Sequence, residues 1–134
     1  MDIRTISWQE TIPLRHSVLW PMKPPEYCHV EGDHDALHFG AYLNDELVCV
    51  ASVYLSIDKA RLRKFATNAT YQNQGIGSKM LSFILNELEN TSAKIFWCDA
   101  RESALGIYQR FGMQPYGERC YKAEVSYYKV AVNL

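Results

Sequence analysis

Gln72-Asn73-Gln74-Gly75-Ile76-Gly77-Ser78 is the stretch of this chain whose residue types and spacing point most directly to chemistry. It lies between a strand-like run, Leu62 to Thr67, and an amphipathic helix. Two glycines one residue apart let backbone approach a ligand without obstruction by Cβ. The helix that follows begins with unpaired N–H groups and the positive end of its dipole, so the turn suits an anion such as a nucleotide pyrophosphate. It is not a Walker A loop, because no Gly-Lys-Ser/Thr ends it, and Met80 stands where a dinucleotide fingerprint has its third glycine. A purely structural turn draws on the same glycines, so the neighbouring pattern has to decide.

The elements that position this turn follow from hydrophobic periodicity. Ile3 to Ile6 reads as a short strand, and Pro13 fits the first turn of a helix carrying Leu14, Val18 and Leu19. Pro21, Pro24 and Pro25 end that helix near Trp20 and leave residues 22–35 irregular. His38 to Tyr42 and Leu47 to Leu55 form a hairpin signal, and the second arm is apolar enough to be buried on both faces. Ala60 to Thr67 is the next strand. Ile76, Met80, Leu81, Ile84, Leu85 and Leu88 then give one helical stripe. Lys94 to Cys98 is a strand, Ala104, Ile107, Tyr108 and Phe111 form a short helix, and Gly112 suits its C′ position. Met113 to Tyr116 and Tyr121 to Val132 close the chain as strands, whose exposed edges leave room for a homodimer. Strands that both alternate with helices and form hairpins imply a mixed sheet in one α/β or α+β domain over residues 1–134.

Composition narrows the classes. A chain of 134 residues, 48% hydrophobic and 22% charged, can bury a core and is not a disordered tail. A net charge of −1 offers no nucleic-acid footprint, and no apolar run reaches membrane-spanning length. Met1-Asp2-Ile3-Arg4 has no signal-peptide core. Cys28, Cys49, Cys98 and Cys120 stand far apart without metal-ligand spacing, which points to reduced thiols in a cytoplasmic protein and to no bound metal.

With Gln72, Gly75 and Gly77 in a Gln-x-x-Gly-x-Gly pattern, and Ala100-Arg101 followed by Ala104, Ile107-Tyr108 and Phe111-Gly112-Met113, the chain resembles the GNAT superfamily of N-acetyltransferases over nearly its whole length. The resemblance implies a mostly antiparallel mixed sheet flanked by helices, with acetyl-CoA as acetyl donor and a small-molecule or peptide amine as acceptor. It implies that backbone groups of Phe65, Ala66 and Thr67 pair with the pantetheine arm as an added strand does. Gln72, Asn73, Gln74, Gly75, Ile76, Gly77 and Ser78 would form the cofactor turn, with N–H groups from Asn73 to Ser78 on the pyrophosphate. Tyr108 matches the position that faces the cofactor sulfur as general acid. Thr67 and Ala69 depart from the apolar residue and proline commoner in the family, and Arg101 stands where many members have asparagine.

The implied reaction is direct attack of the amine on the thioester. An amine of pKa ~10.4 costs roughly 4.6 kcal/mol to deprotonate at pH 7. The strand before the turn offers Arg61, Arg63 and Lys64 rather than a carboxylate. His34, Asp35, His38 and Asp99 are further acid–base candidates, each of a type whose ordinary role is structural or solvated. A tyrosine of pKa ~10 protonates a thiolate of pKa ~8.5 uphill by roughly 2 kcal/mol, so Tyr108 needs either a lowered pKa or a hydrogen-bonding role. Basic residues at 61–64 are either a solvated face or a wall favouring an anionic acceptor. Trp20 to Asp35, with Trp20, Tyr27, His29, Asp33 and His34, is the segment in which the family builds its acceptor site. A non-catalytic acyl-CoA sensor, or a structural domain with an empty turn, fits the same sequence.

Overall fold

A computed structural model describes all residues from Met1 to Leu134. Seven strands form one sheet: β1 Asp2–Ile6, β2 Leu37–Leu43, β3 Glu46–Ser56, β4 Lys59–Thr67, β5 Ile95–Arg101, β6 Gln114–Lys122 and β7 Val125–Asn133. Their order is β1-β2-β3-β4-β5-β7-β6, and every neighbouring pair is antiparallel except β4 and β5. Helix α1 spans Trp8–Leu14, α2 Ile76–Leu88 and α3 Leu105–Gln109. The strand and helix pattern implies a mixed sheet, and the family resemblance implies one that is mostly antiparallel and flanked by helices; the structure has both.

Tight turns set the hairpins. Asn44 and Asp45, at φ 49° and 67°, close β2 on β3, and Ala123 and Glu124, at φ 48° and 69°, close β6 on β7. Two successive left-handed residues match the twist of antiparallel strands. Ala123-Glu124 lacks the Asn-Gly signature of such turns, so the run from Tyr121 to Val132 reads as one strand in the sequence. In the structure Tyr121 and Lys122 belong to β6. Only β6 of this last pair presents a sheet edge, because β7 is paired on both sides.

Helix α1 also begins earlier than expected. Ser7 caps it, its hydroxyl accepting from the Glu10 N–H at 3.3 Å and donating to the Glu10 carboxylate at 3.2 Å. Pro13 therefore falls inside the helix rather than in its first turn. From Arg15 to Leu19 the coil widens, so that the Trp20 N–H reaches back to the Arg15 carbonyl.

The main core lies between one sheet face and α2, whose Ile76, Met80, Leu81, Ile84 and Leu88 are all buried. Five such side chains contribute on the order of 1.5–3 kcal/mol each. A smaller core on the opposite face joins Leu14 to Val50 and Ala66. The two faces communicate at one place. Strands β4 and β5 pair only from Lys59–Ile95 to Arg61–Trp97. Beyond that point they diverge, and β5 continues on β7 as far as Arg101.

Candidate active site

The divergence of β4 from β5 opens a cleft of about 680 Å³. Leu62, Phe65, Gln72, Cys98 and Tyr108 line it from the α2–α3 side. Arg61, Arg63, Lys64 and Asp99 line it together with Val18, Leu19 and Trp20. A bulge in β4 arranges this. Ser52 pairs with Arg63 and Val50 with Ala66, so Lys64 and Phe65 together oppose Ala51, and Lys64 takes φ 55°. One extra residue bends the strand and re-aims the side chains on either side of it.

At the end of β4, the Asn68 N–H donates to the Val48 carbonyl at 2.8 Å. Alternation then turns the N–H and C=O of Thr67 away from β3 and toward the gap. Gln72 Nε2 donates to that Thr67 carbonyl at 3.0 Å, and Asn68 Oδ1 accepts from the Thr70 N–H at 3.0 Å. These two bonds brace the loop where the family commonly has a proline at position 69.

The turn itself has the geometry of an anion site. The six N–H groups from Asn73 to Ser78 donate to nothing within the protein, and the first bond of α2 runs from the Lys79 N–H to the Gly75 carbonyl. Asn73 at φ 64° and Gly75 at φ 81° curl the backbone so that successive N–H groups converge. The two glycines serve different needs. A Cβ at Gly75 would meet no other atom of the protein, so its glycine is required by the left-handed backbone, which costs another residue roughly 1–2 kcal/mol. A Cβ at Gly77 would stand 3.2 Å from Ile107 Cδ1 and 3.3 Å from Phe65 Cζ, so here glycine lets α2 pack onto β4 and α3. A pyrophosphate-bearing cofactor fits this donor set: the donors are unpaired, convergent and at the start of a 13-residue helix.

Tyr108 is 9% exposed and sits against the Cys98 thiol. Burial first, and then the neighbouring thiol, push its pKa well above the ordinary tyrosine range. Burial likewise raises Cys98 to about 12, with Tyr108 acting in the opposite sense. Of the two roles open to Tyr108, this environment removes easy proton release and keeps a neutral O–H donor at the cleft. Gly112, at φ 82°, ends α3, and the Met113 N–H closes onto the Tyr108 carbonyl at 3.1 Å, which fixes the residue's backbone.

The basic residues of β4 are not a solvated face. Arg61, Arg63 and Lys64 all line the cleft, with Arg101 and Lys122 besides. Asp99 is the sole carboxylate there, and its Oδ2 is shared by Arg61 at 3.1 Å and Lys122 at 3.0 Å. That oxygen is therefore already engaged by two cations of the wall. Lys64 has no carboxylate partner and lies 4.1 Å from the centre of the Trp20 ring. Burial, and then repulsion from Arg63, Arg15, Lys122 and Arg61, bring its pKa down to about 8.

The remaining acid–base candidates fall elsewhere. His38 belongs to a buried network that the sequence did not reveal. Arg15 forks onto Asp33, Nη1 to Oδ2 at 2.8 Å and Nη2 to Oδ1 at 3.1 Å, and Nη2 also donates to Ser52 Oγ at 2.9 Å. His38 Nε2 lies 2.8 Å from the Asp33 carbonyl and Nδ1 lies 2.6 Å from Ser52 Oγ. One consistent arrangement has Nε2–H donating to the carbonyl and Nδ1 accepting from Ser52, which leaves the imidazole neutral, as its lowered pKa requires. The Tyr54 hydroxyl donates to Asp33 as well. Burial alone would raise the Asp33 pKa, but the Arg15 and Tyr54 bonds outweigh it and bring it to about 2. This network fastens residues 15–20, and with them the Val18-Leu19-Trp20 wall, to β3. His34 packs on Trp8 and His29 instead, and Asp35 lines a smaller depression of about 280 Å³.

A strand split beside a turn of unpaired N–H groups, with a tyrosine hydroxyl across the gap, has the shape and donors to receive an acyl-coenzyme A. The chain's sequence matches the acetyltransferase (GNAT) domain over residues 20–134, and it belongs to that family. It is 28% identical over 127 residues to the Bacillus subtilis N-acetyltransferase YitI, covering 88% of this chain and 85% of that protein. It is 29% identical over 120 residues to the Escherichia coli K12 [ribosomal protein bS18]-alanine N-acetyltransferase, covering 82% and 80%. Among solved structures, Escherichia coli ElaA superposes with a TM-score of 0.83 at 19% identity over 97% of both chains. A GNAT acetyltransferase from Elizabethkingia anophelis with acetyl-CoA bound superposes with a TM-score of 0.75 at 18% identity, over 99% of this chain and 97% of that one. The chain is thus an acetyl-CoA-dependent acyltransferase of the GNAT family.

Proposed function

We propose that this enzyme transfers the acetyl group to a primary amine by direct attack of that amine. The N–H groups of Asn73 to Ser78 hold the pyrophosphate, the outward edge of Phe65, Ala66 and Thr67 pairs with the pantetheine arm, and Tyr108 serves the sulfur. The observation that supports this best is the run of six unpaired N–H groups beside the open edge of β4, across the gap from Tyr108. When bound, acetyl-CoA supplies the activated acetyl thioester. Tyr108 holds a proton at its hydroxyl oxygen and offers it as a hydrogen bond to the departing sulfur.

The cationic wall addresses the deprotonation cost. Lys64 acts as a gauge of the cleft, because burial and its neighbours bring that ammonium to about 8. An acceptor ammonium beside it meets the same burial and the same repulsion from Arg61, Arg63 and Lys122. Its pKa is pushed down in the same direction, which lowers the cost of deprotonating the bound amine below the roughly 4.6 kcal/mol of a free one. A thiol-release assay over an amine panel tests this. Turnover is expected, with kcat, which reports the bound state, rising through a limb below the roughly pH 10 of a free amine. Acetyl-CoA binding with no turnover of any amine would instead favour a cofactor sensor, and a limb near pH 10 would remove the cationic wall from the mechanism.

A further inference from the structure

The two faces of the sheet carry different chemistry around the gap. On the α2–α3 face stand the cradle, Phe65, Cys98 and Tyr108. The opposite face carries Arg61 and Arg63, on alternate residues of β4 from Leu62, whose side chain belongs to the α2 core. Arg61 lies 4.6 Å from the Trp97 ring centre and Arg63 5.4 Å from that of Tyr54. Lys64 lies over Trp20, which itself meets Tyr27 edge-on at 5.3 Å.

Charge on this wall is unbalanced although the chain as a whole carries −1. Five cationic side chains line the cleft against one carboxylate, and Asp99 is already shared by Arg61 and Lys122. No carboxylate lies within 4.0 Å of Arg63, Lys64 or Arg101. Arg101 donates to the Tyr127 hydroxyl at 3.4 Å, which leaves its charge uncompensated. Glu31 and Asp35 share only the smaller depression beyond Arg63 and form no ion pair with it. Amines are cations in neutral solution, and a wall of this sign repels them. Negative charge elsewhere on an acceptor offsets that repulsion.

We propose, resting on the acetyl-transfer reading above, that the acceptor is an amine carrying a carboxylate or another oxyanion, which Arg63 and Lys64 seat beside Trp20 on the face opposite Tyr108. Arg63 matches the two oxygens of a carboxylate or phosphate with its planar fork, and Lys64 adds a point charge. The seated anion anchors the molecule while its amine faces the gap.

Two matched pairs test this: β-alanine against β-alaninamide, and phosphoethanolamine against ethanolamine. Each is assayed for thiol release and, with coenzyme A present, for binding by calorimetry. The anionic member of at least one pair is expected to show higher kcat/KM and tighter binding by about tenfold or more, the worth of one charge-assisted hydrogen bond. The pair that responds distinguishes carboxylate from phosphate. Arg63→Gln is expected to reduce that ratio to about threefold or less, and Arg63→Lys, which keeps the charge but loses the planar fork, to give a ratio between those of Arg63→Gln and the native enzyme. Equal handling of both members, preference for the neutral ones, no binding of either anion, or a ratio indifferent to Arg63→Gln would each overturn the proposal. Binding of the anions without any turnover would overturn the acetyl-transfer reading and their role as acceptors, while the anion subsite would stand.

Discussion

Tyr108→Phe is expected to lower kcat about 10- to 100-fold while acetyl-CoA affinity stays within about twofold, the range of one hydrogen bond to a charged partner. The ring is part of the main core, and phenylalanine preserves that packing. Only the hydroxyl is lost. Its raised pKa keeps it protonated throughout the working pH range, so its contribution is a hydrogen bond to the leaving sulfur. The kcat profile of the native enzyme should accordingly lack a limb that disappears in the phenylalanine variant. Single-turnover rates with calorimetric affinities separate the two effects. An unchanged rate would take Tyr108 out of the mechanism.

Arg15→Ala is expected to cost about 3–5 kcal/mol of stability, because it leaves the Asp33 carboxylate buried without its partner. For a chain of this length that corresponds to a fall in Tm of roughly 10–20 °C. Replacing Arg15 and Asp33 together by apolar residues should recover much of the loss, since no unpaired charge then remains. The same pair sets an acid limit. Asp33 has a folded pKa of about 2 against 3.8 for the free side chain. Its stabilising contribution, about 2 kcal/mol, is complete above pH 3.8, declines as pH falls toward 2 and is absent below that. Denaturant unfolding at pH 7, 4 and 2.5 checks it: Asp33→Asn should flatten this part of the profile. If Arg15→Ala left the midpoint unmoved, the network would have no stabilising role.

What the sequence disclosed and what it withheld divide along physical lines. The stripe from Ile76 to Leu88 and the apolar arm from Leu47 to Leu55 were legible because burial imposes its period directly on local sequence. The turn's geometry was legible because glycine is the residue that satisfies both a left-handed φ at Gly75 and a close approach at Gly77. The early start of α1 is also encoded, in the Ser7 and Glu10 capping pair, a signal weaker than the proline at position 13. The Arg15–Asp33–His38–Ser52 network left little local trace, since its partners lie as far as 37 residues apart. A single hint was an arginine at helical spacing from Val18 and Leu19. The sense of the basic run at 61–64 was hidden for another reason. Whether it faces water or the cleft depends on the bulge at Lys64 and on where β5 leaves β4, and both are properties of strand pairing.

Every role proposed for the cleft requires the cofactor to lie with its pyrophosphate on Asn73 to Ser78 and its arm along the end of β4. An amide-resolved NMR titration of the protein with acetyl-CoA tests that placement most directly. The largest shift changes are expected on the amides of Asn73 to Ser78 and on the edge from Phe65 to Thr67. Saturable binding that leaves those amides unperturbed would contradict that placement.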